Sequence, residues 1–226
     1  MRFVNNEKGM TLIEILVAIT ISGIVGIFLA RIFEVNSQVM TGEQKVMTMN
    51  SNARQGIYEL AKNIRLLGYD PMIVGSSTFG ITAADGTSIN FTADINNNAV
   101  LDANESFGYL LVSGTAACPS TCIASIVPGG GGAARIVAED ITASPAPAVN
   151  PAFCLQYTFT NGSQSDAKCA NVINLPDNTS STLNFDNIRK VTITITTRTE
   201  DVHNLSKQFN YETVTTTVML RNNLPV

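Results

Sequence analysis

The sequence predicts an α+β fold: one long N-terminal α-helix packed on an antiparallel β-sheet head. Three observations carry this expectation. Residues 15–30 contain no charged side chain. Apolar and small residues then recur at helical spacing as far as Leu67. After Pro71 the apolar period shortens from about 3.6 residues to about 2, the repeat of a strand.

Composition bounds what such a chain can do. Of 226 residues, 45% are apolar and only 14% charged, with a formal net charge of −4. Ordinary soluble proteins carry roughly 25% charged residues. Here Asn, Thr and Ser supply the polar surface instead, a common pattern in exported domains. No basic patch stands out, so no nucleic-acid partner is predicted. The single histidine, His203, lies in a polar connection, there is no tryptophan, and neither G-x-S-x-G nor H-E-x-x-H occurs. The glycine run 129–132 lacks the Lys-Ser/Thr that a phosphate cradle needs. That is a thin supply of catalytic side chains, and no enzyme is expected.

The N-terminal element comes first. From Met10 to Ala30 the only charged residue is Glu14. About 21 residues at about 1.5 Å each span a hydrocarbon layer of about 30 Å. Arg2 and Lys8 precede the segment, which predicts a cytoplasmic N-terminus and an exported remainder. A conventional signal peptide has a shorter apolar run and a small-residue cleavage site, and Phe28-Leu29-Ala30-Arg31 is a poor one. A plain anchor would not need Glu14, because a carboxylate in an apolar segment is unfavourable without a partner. Cleavage after Gly9 would give Met10 a new α-amino group within one helical turn of Glu14.

The run Lys8-Gly9-Met10-Thr11-Leu12-Ile13-Glu14 followed by an apolar helix resembles the prepilin leader motif of type IV pilins and type II secretion pseudopilins. The resemblance implies a pilin fold. It also implies a membrane-embedded prepilin peptidase that cuts after Gly9 and methylates Met10, and Glu14 as the assembly glutamate. Met10 stands where the family usually has Phe.

Beyond the apolar segment, Val35, Val39, Gly42, Val46, Met49, Ala53, Ile57, Leu60, Ile64 and Leu67 form an amphipathic stripe. Arg65, Gly68 and Pro71 are stop signals. The expected helix covers residues 10–67. Without a regular charge pattern beside the stripe, packing on a sheet is favoured over a coiled coil. Gly23 and Gly26 fit either close helix packing or local unwinding. The end of the helix, Arg65-Leu66-Leu67-Gly68-Tyr69, and the C-terminal Val218-Met219-Leu220-Arg221-Asn222 also resemble minor pilins of the PilW type, and the J-type pseudopilin is related. The expected organisation is a leader over 1–9, a transmembrane or filament-core half over 10–33, an amphipathic half over 34–68, and a β-rich head over 69–226 with a loop-rich insertion at 114–151.

In the head, residues 87–93, 107–113, 154–160, 188–199 and 211–221 read as strands, and the last two alternate apolar residues with threonines. The insertion contains the glycine run, Pro145 and Pro147, and reads as loops with short strands. Four cysteines in an exported domain suggest disulfides rather than zinc. The expected pairs are Cys118 with Cys122 and Cys154 with Cys169, because local pairs need little agreement across a flexible insertion. Residues 94–105 have the spacing of a twelve-residue calcium loop: Asp94, Asn96, Asn98, the Val100 carbonyl, Asp102 and Glu105 as ligands, with Ala99 where glycine is usual. The alternative is an Asp/Asn-rich turn between strands.

The expected function is that of a minor pilin that helps initiate or cap a type IV pilus. A secretion pseudopilin and a membrane-anchored adhesin are the alternatives. Expected partners are major and minor pilins through the N-terminal helix, the prepilin peptidase, the inner-membrane assembly platform and a tip adhesin. The expected location is the inner membrane with a periplasmic C-terminus, then the pilus at the cell surface.

Overall fold

The computed structural model describes residues 9–71, 79–116, 118–126, 134–143, 151–162, 164, 188–199 and 208–220. The expectations for residues 1–8, the glycine run, Cys169, His203 and Arg221-Asn222 fall outside them.

Helix α1 spans Leu12–Ile64, 53 residues without a break, or about 80 Å at about 1.5 Å per residue. It begins at 12 rather than 10 because Thr11 takes the N-cap position, with extended φ −80° and ψ 151°. The α-helical bonds end at Ile64, short of the expected 67, because the last turn tightens. Leu66 N–H donates to the Asn63 carbonyl at 2.9 Å and Leu67 N–H to that of Ile64 at 3.1 Å. Gly68 then reverses the chain with φ +67°, a conformation open to glycine at little cost.

The two halves of α1 have different surroundings. From residue 12 to 41 no helical side chain is buried. From Gly42 onward one face is buried, through Met49, Ala53, Gly56, Ile57, Leu60, Ala61 and Ile64. This is the predicted stripe, shortened at its start: Val35 is 48% exposed because the head does not extend that far down the helix.

The described strands form two antiparallel sheets. The first has the order β1-β2-β3-β4-β5, from Ile81–Ala84, Ser88–Thr92, Ser106–Thr115, Cys118–Ile126 and Arg135–Ala138. The second has the order β6-β7-β8, from Phe153–Phe159, Ile188–Arg198 and Tyr211–Met219. Every pairing joins sequence neighbours, as in a meander. The sheets are tied together where Ile141 bridges Thr197. Thr142 N–H donates to the Thr196 carbonyl at 3.0 Å and Leu155 N–H to that of Gly86 at 2.8 Å. The buried Tyr157 hydroxyl donates to the Asp85 carbonyl at 3.0 Å. Burial, reinforced by the Asp85 charge, raises the Tyr157 phenol well above its ordinary pKa.

The helix lies against β5, β7 and β8. Leu60 and Ile64 belong to one core with Ala138, Val191, Ile193, Ile195 and Val218. The alternation in β7 sends Val191, Ile193 and Ile195 inward. The threonines between them pair hydroxyl to hydroxyl with β8: Thr192 with Thr217, Thr194 with Thr215, and Thr196 with Thr213. Polar links also join helix and first sheet. Arg135 pairs with Glu59, and the Asn63 amide donates to the Tyr109 hydroxyl. The result is an α+β arrangement consistent with a type IV pilin fold.

The segment expected to be loop-rich contributes more sheet than its composition suggests. Within 114–151, β4 is nine residues long and pairs with both β3 and β5. Ile123, Ala124, Val137 and Ala138 are buried there. Strand β1 had no counterpart in the sequence reading.

Gly56 sits where α1 comes closest to β5. A Cβ added there would meet the Ala138 Cβ at 2.8 Å. Helix propensity alone favours Gly56→Ala by about 1 kcal/mol. Overpacking a close contact typically costs about 1–3 kcal/mol. We expect Gly56→Ala to lower the stability of the detergent-solubilised chain in denaturant titration. A more stable variant would show that the helix is not held this tightly against β5.

Candidate functional site

The N-terminus of α1 is built around Thr11 and Glu14. The Glu14 Oε2 accepts the Thr11 backbone N–H at 2.9 Å and the Thr11 hydroxyl at 2.9 Å. In return the Thr11 Oγ1 accepts the Glu14 N–H at 3.4 Å. This reciprocal capping box satisfies donors that a helix start leaves unpaired. Gly9 and Met10 precede the helix in exposed, non-helical chain. The Gly9–Met10 peptide thus lies outside the helix, in exposed chain. Thr11 was missed as a functional candidate, although Thr11-Leu12-Ile13-Glu14 before an apolar run is the sequence form of a capping box.

The rest of the apolar half presents little polarity. None of its most apolar stretch is buried, and α1 is long and apolar enough to cross a membrane. The Thr20 hydroxyl donates back to the Leu16 carbonyl at 2.8 Å, which satisfies that donor within the helix. Gly23 and Gly26 have nothing within 4 Å of an added Cβ, so no contact within the chain explains them. Arg31 and Glu34 pair at 3.1 Å, marking the return to polar surroundings.

The second candidate is the loop over 94–105, at the far end of α1. Asp94 N–H donates to the Tyr69 carbonyl at 2.8 Å, which docks the loop on the helix end. Asp94 and Glu105 are completely buried. The Asp94 carboxylate accepts Asn98 N–H at 3.2 Å and Ala99 N–H at 3.0 Å. The Glu105 carboxylate accepts Ile95 N–H at 2.8 Å, Asn96 N–H at 3.2 Å and Asp102 N–H at 3.0 Å. Asp102 Oδ2 accepts the side-chain amides of Asn96 at 2.7 Å and Asn98 at 3.0 Å. The Asn98 side-chain oxygen takes the Val100 N–H at 2.8 Å. The predicted ligands are therefore brought together as caps for the loop's own backbone. Among the described residues, no three His, Cys, Asp or Glu side chains gather as a metal cluster. Ala99 has φ +58°, the left-handed conformation that the glycine it replaces would take more easily.

Cys118 and Cys122 are joined by a disulfide with a Cα–Cα distance of 6.2 Å. Four residues of extended strand would cover about 13 Å, so the chain is shortened here, and the β3–β4 register shifts between the Ser113–Thr121 and Thr115–Cys118 pairs. Cys154 is also disulfide-bonded, and Cys169, its expected partner, lies outside the described residues.

Residues 4–30 match the prokaryotic N-terminal methylation motif. No curated protein and no solved structure matches the chain. The motif supports a prepilin-type leader and, with the apolar helix and the α+β head, a type IV pilin or pseudopilin class. That class is structural rather than enzymatic, is anchored through its N-terminal helix, and interacts with other pilins and with prepilin peptidase.

The loop geometry has a measurable consequence. A non-glycine residue in the left-handed region costs about 1–2 kcal/mol, and glycine returns about 0.4–1 kcal/mol of that through unfolded-state entropy. Ala99→Gly should stabilise the chain by about 0.5–1 kcal/mol. Glu105→Ala removes a buried carboxylate that accepts three loop N–H groups and should destabilise it by about 1–3 kcal/mol. Thermal unfolding of both variants checks this, and an Ala99→Gly protein that melts below wild type would contradict the left-handed assignment.

Proposed function

We propose that this chain is a minor pilin that helps initiate or cap a type IV pilus. The observation that supports this most is the N-terminal arrangement. A methylation-type leader ending at Gly9 precedes a helix start with Glu14 in its first turn, and that helix continues without a break from an apolar half into the head. Cleavage after Gly9 and methylation of Met10 produce the mature subunit. Glu14 then serves assembly with other pilins at the inner-membrane platform. The head faces the periplasm before assembly and the cell surface afterwards, where a tip adhesin is a partner.

Intact-mass measurement on the native protein should find a mature chain starting at methylated Met10. Gly9→Val should block cleavage, and Glu14→Ala should be processed yet fail to assemble. A native chain that keeps its leader would end the reading. In a deletion strain, lost pili restored by wild type but not by Glu14→Ala support the minor pilin. Lost exoprotein secretion with normal pili assigns a pseudopilin, and normal pili with lost attachment assign an adhesin.

Calcium binding by residues 94–105 is a separate proposal, supported by the ligand-type spacing and the left-handed Ala99. The expected affinity is that of an extracellular module, on the order of 10⁻⁴–10⁻³ M. Calorimetry should show heat of binding and a calcium-dependent rise in melting temperature, both lost in Asp94→Ala with Glu105→Ala. No heat and no shift would leave the loop as a self-capped turn.

A further inference from the structure

The inward row of β7 changes character at its end. Val191, Ile193 and Ile195 belong to the core, and the pairing with β8 runs without a register shift to Arg198, so position 197 faces the same side. An apolar residue there would continue the core. Instead Thr197 and Thr199 follow, 1% and 3% exposed. Thr199 Oγ1 accepts the Asn210 N–H at 3.2 Å. The Thr197 hydroxyl has no hydrogen-bond partner among the described residues. A buried hydroxyl left unpaired is unfavourable, whereas valine has nearly the same shape and nothing to satisfy.

Thr197 lines a cavity of about 720 Å³ between α1 and the head. The opposite wall is the helix. Thr41, Lys45, Thr48 and Asn52 lie at i, i+4, i+7 and i+11, so one polar face of α1 is turned to the cavity. The Thr41 and Thr48 hydroxyls donate to the Ser37 and Gln44 carbonyls at 2.9 Å and 3.0 Å, and what their oxygens still offer is acceptor capacity. Arg198 adds donors, and Glu139 and Asp140 add acceptors. The apolar lining is limited to Met49, Pro119 and the Cys118–Cys122 disulfide.

We infer that this cavity is a binding site for a short neutral saccharide. Its volume falls within the 300–1,000 Å³, roughly, of small-molecule pockets. Two cationic side chains, Lys45 and Arg198, stand against two carboxylates, Glu139 and Asp140, so the lining favours neither an anion nor a cation. Its donors and acceptors are intermixed, and each sugar hydroxyl acts as both. An extended peptide fits less well. It needs a free strand edge or apolar anchor pockets, but β7 is already paired on both sides, by β6 and β8, and the apolar lining is small. The ligand supplies the partner that the Thr197 hydroxyl lacks. The inference stands apart from the readings of Glu14 and the leader.

The test uses the full chain in a detergent without a sugar head group, so that the detergent does not compete. Maltotriose, cellotriose and triacetylchitotriose are titrated by calorimetry, beside trigalacturonate as an anionic probe and tetra-alanine as a peptide probe. We expect at least one neutral trisaccharide to bind, and the anionic and peptide probes to bind at least about tenfold more weakly. Thr197→Val should weaken saccharide binding about tenfold, the effect of one hydrogen bond. Its melting temperature without sugar should equal or exceed that of wild type. Asn52→Leu, on the opposite wall, should weaken binding to a similar degree. The inference is overturned if no neutral trisaccharide gives heat at about 10 mM, ten times a weak constant of about 1 mM. It is equally overturned if trigalacturonate or tetra-alanine binds as well as the sugars, or if either variant binds like wild type. A Thr197→Val chain that melts below wild type would show that the hydroxyl serves the fold, and would overturn it too.

Discussion

One continuous helix has to suit two solvents. Its backbone hydrogen bonds are internal along Leu12–Ile64, so the backbone itself can pass from lipid to water without exposing unpaired groups. What changes along it is the side chains. Below Gly42 no face is buried by the chain, whereas beyond it a single face is covered by β5, β7 and β8. The head is thus placed at one end of a rod whose other end remains available to other surfaces. The Arg31–Glu34 pair, placed between these regimes, supplies charge where the apolar sequence ends.

The head is fixed to this rod by apolar and polar means. Leu60 and Ile64 are completely buried and carry the hydrophobic part. Glu59 with Arg135 and Asn63 with Tyr109 add directional contacts to the first sheet. Burial raises the Tyr109 phenol pKa, the Asn63 hydrogen bond opposing the shift, so the hydroxyl is neutral at ordinary pH. At the end of α1, Gly68 N–H donates to the Thr92 carbonyl at 3.2 Å and Asp94 N–H to the Tyr69 carbonyl at 2.8 Å. Helix end, β2 and the Asp/Asn-rich loop are consequently one hydrogen-bonded corner. Backbone groups and buried carboxylates there add to the apolar packing of Leu67, Phe91 and Ala93.

What was legible in the sequence followed from periodicity. The stripe from Gly42 to Leu67 and the alternation of Val191, Ile193 and Ile195 with threonines report a single buried face, and burial follows them. The strand at 188–199 was read to within one residue of β7, Ile188–Arg198. Strand β4 was obscured because Cys118-Pro119-Ser120-Thr121-Cys122 breaks the alternation: its pairing with β3 shifts register at the disulfide-closed segment. Strand β1 is short, and only Ile81 is buried in it, too little to set a period. At the candidate site, the leader-like motif drew attention to Gly9, Met10 and Glu14 but carries no information on which Glu14 oxygen is engaged. The same limit applied to the loop. Oxygen-bearing residues at ligand spacing were visible, whereas their engagement with backbone N–H groups depends on three-dimensional closure.

The two ends of α1 solve a common problem with the same chemistry. A helix start leaves N–H groups unpaired, and a tight loop does as well. At the start, the Glu14 carboxylate folds back over Thr11. At the far end, Asp94 and Glu105 fold over the backbone of the loop that follows. The difference lies in what remains free. Glu105 uses both oxygens and is completely buried, so its carboxylate belongs to the architecture of the head. Glu14 uses one oxygen and is exposed. A carboxylate that is half satisfied in an apolar segment favours any arrangement that brings it a second donor.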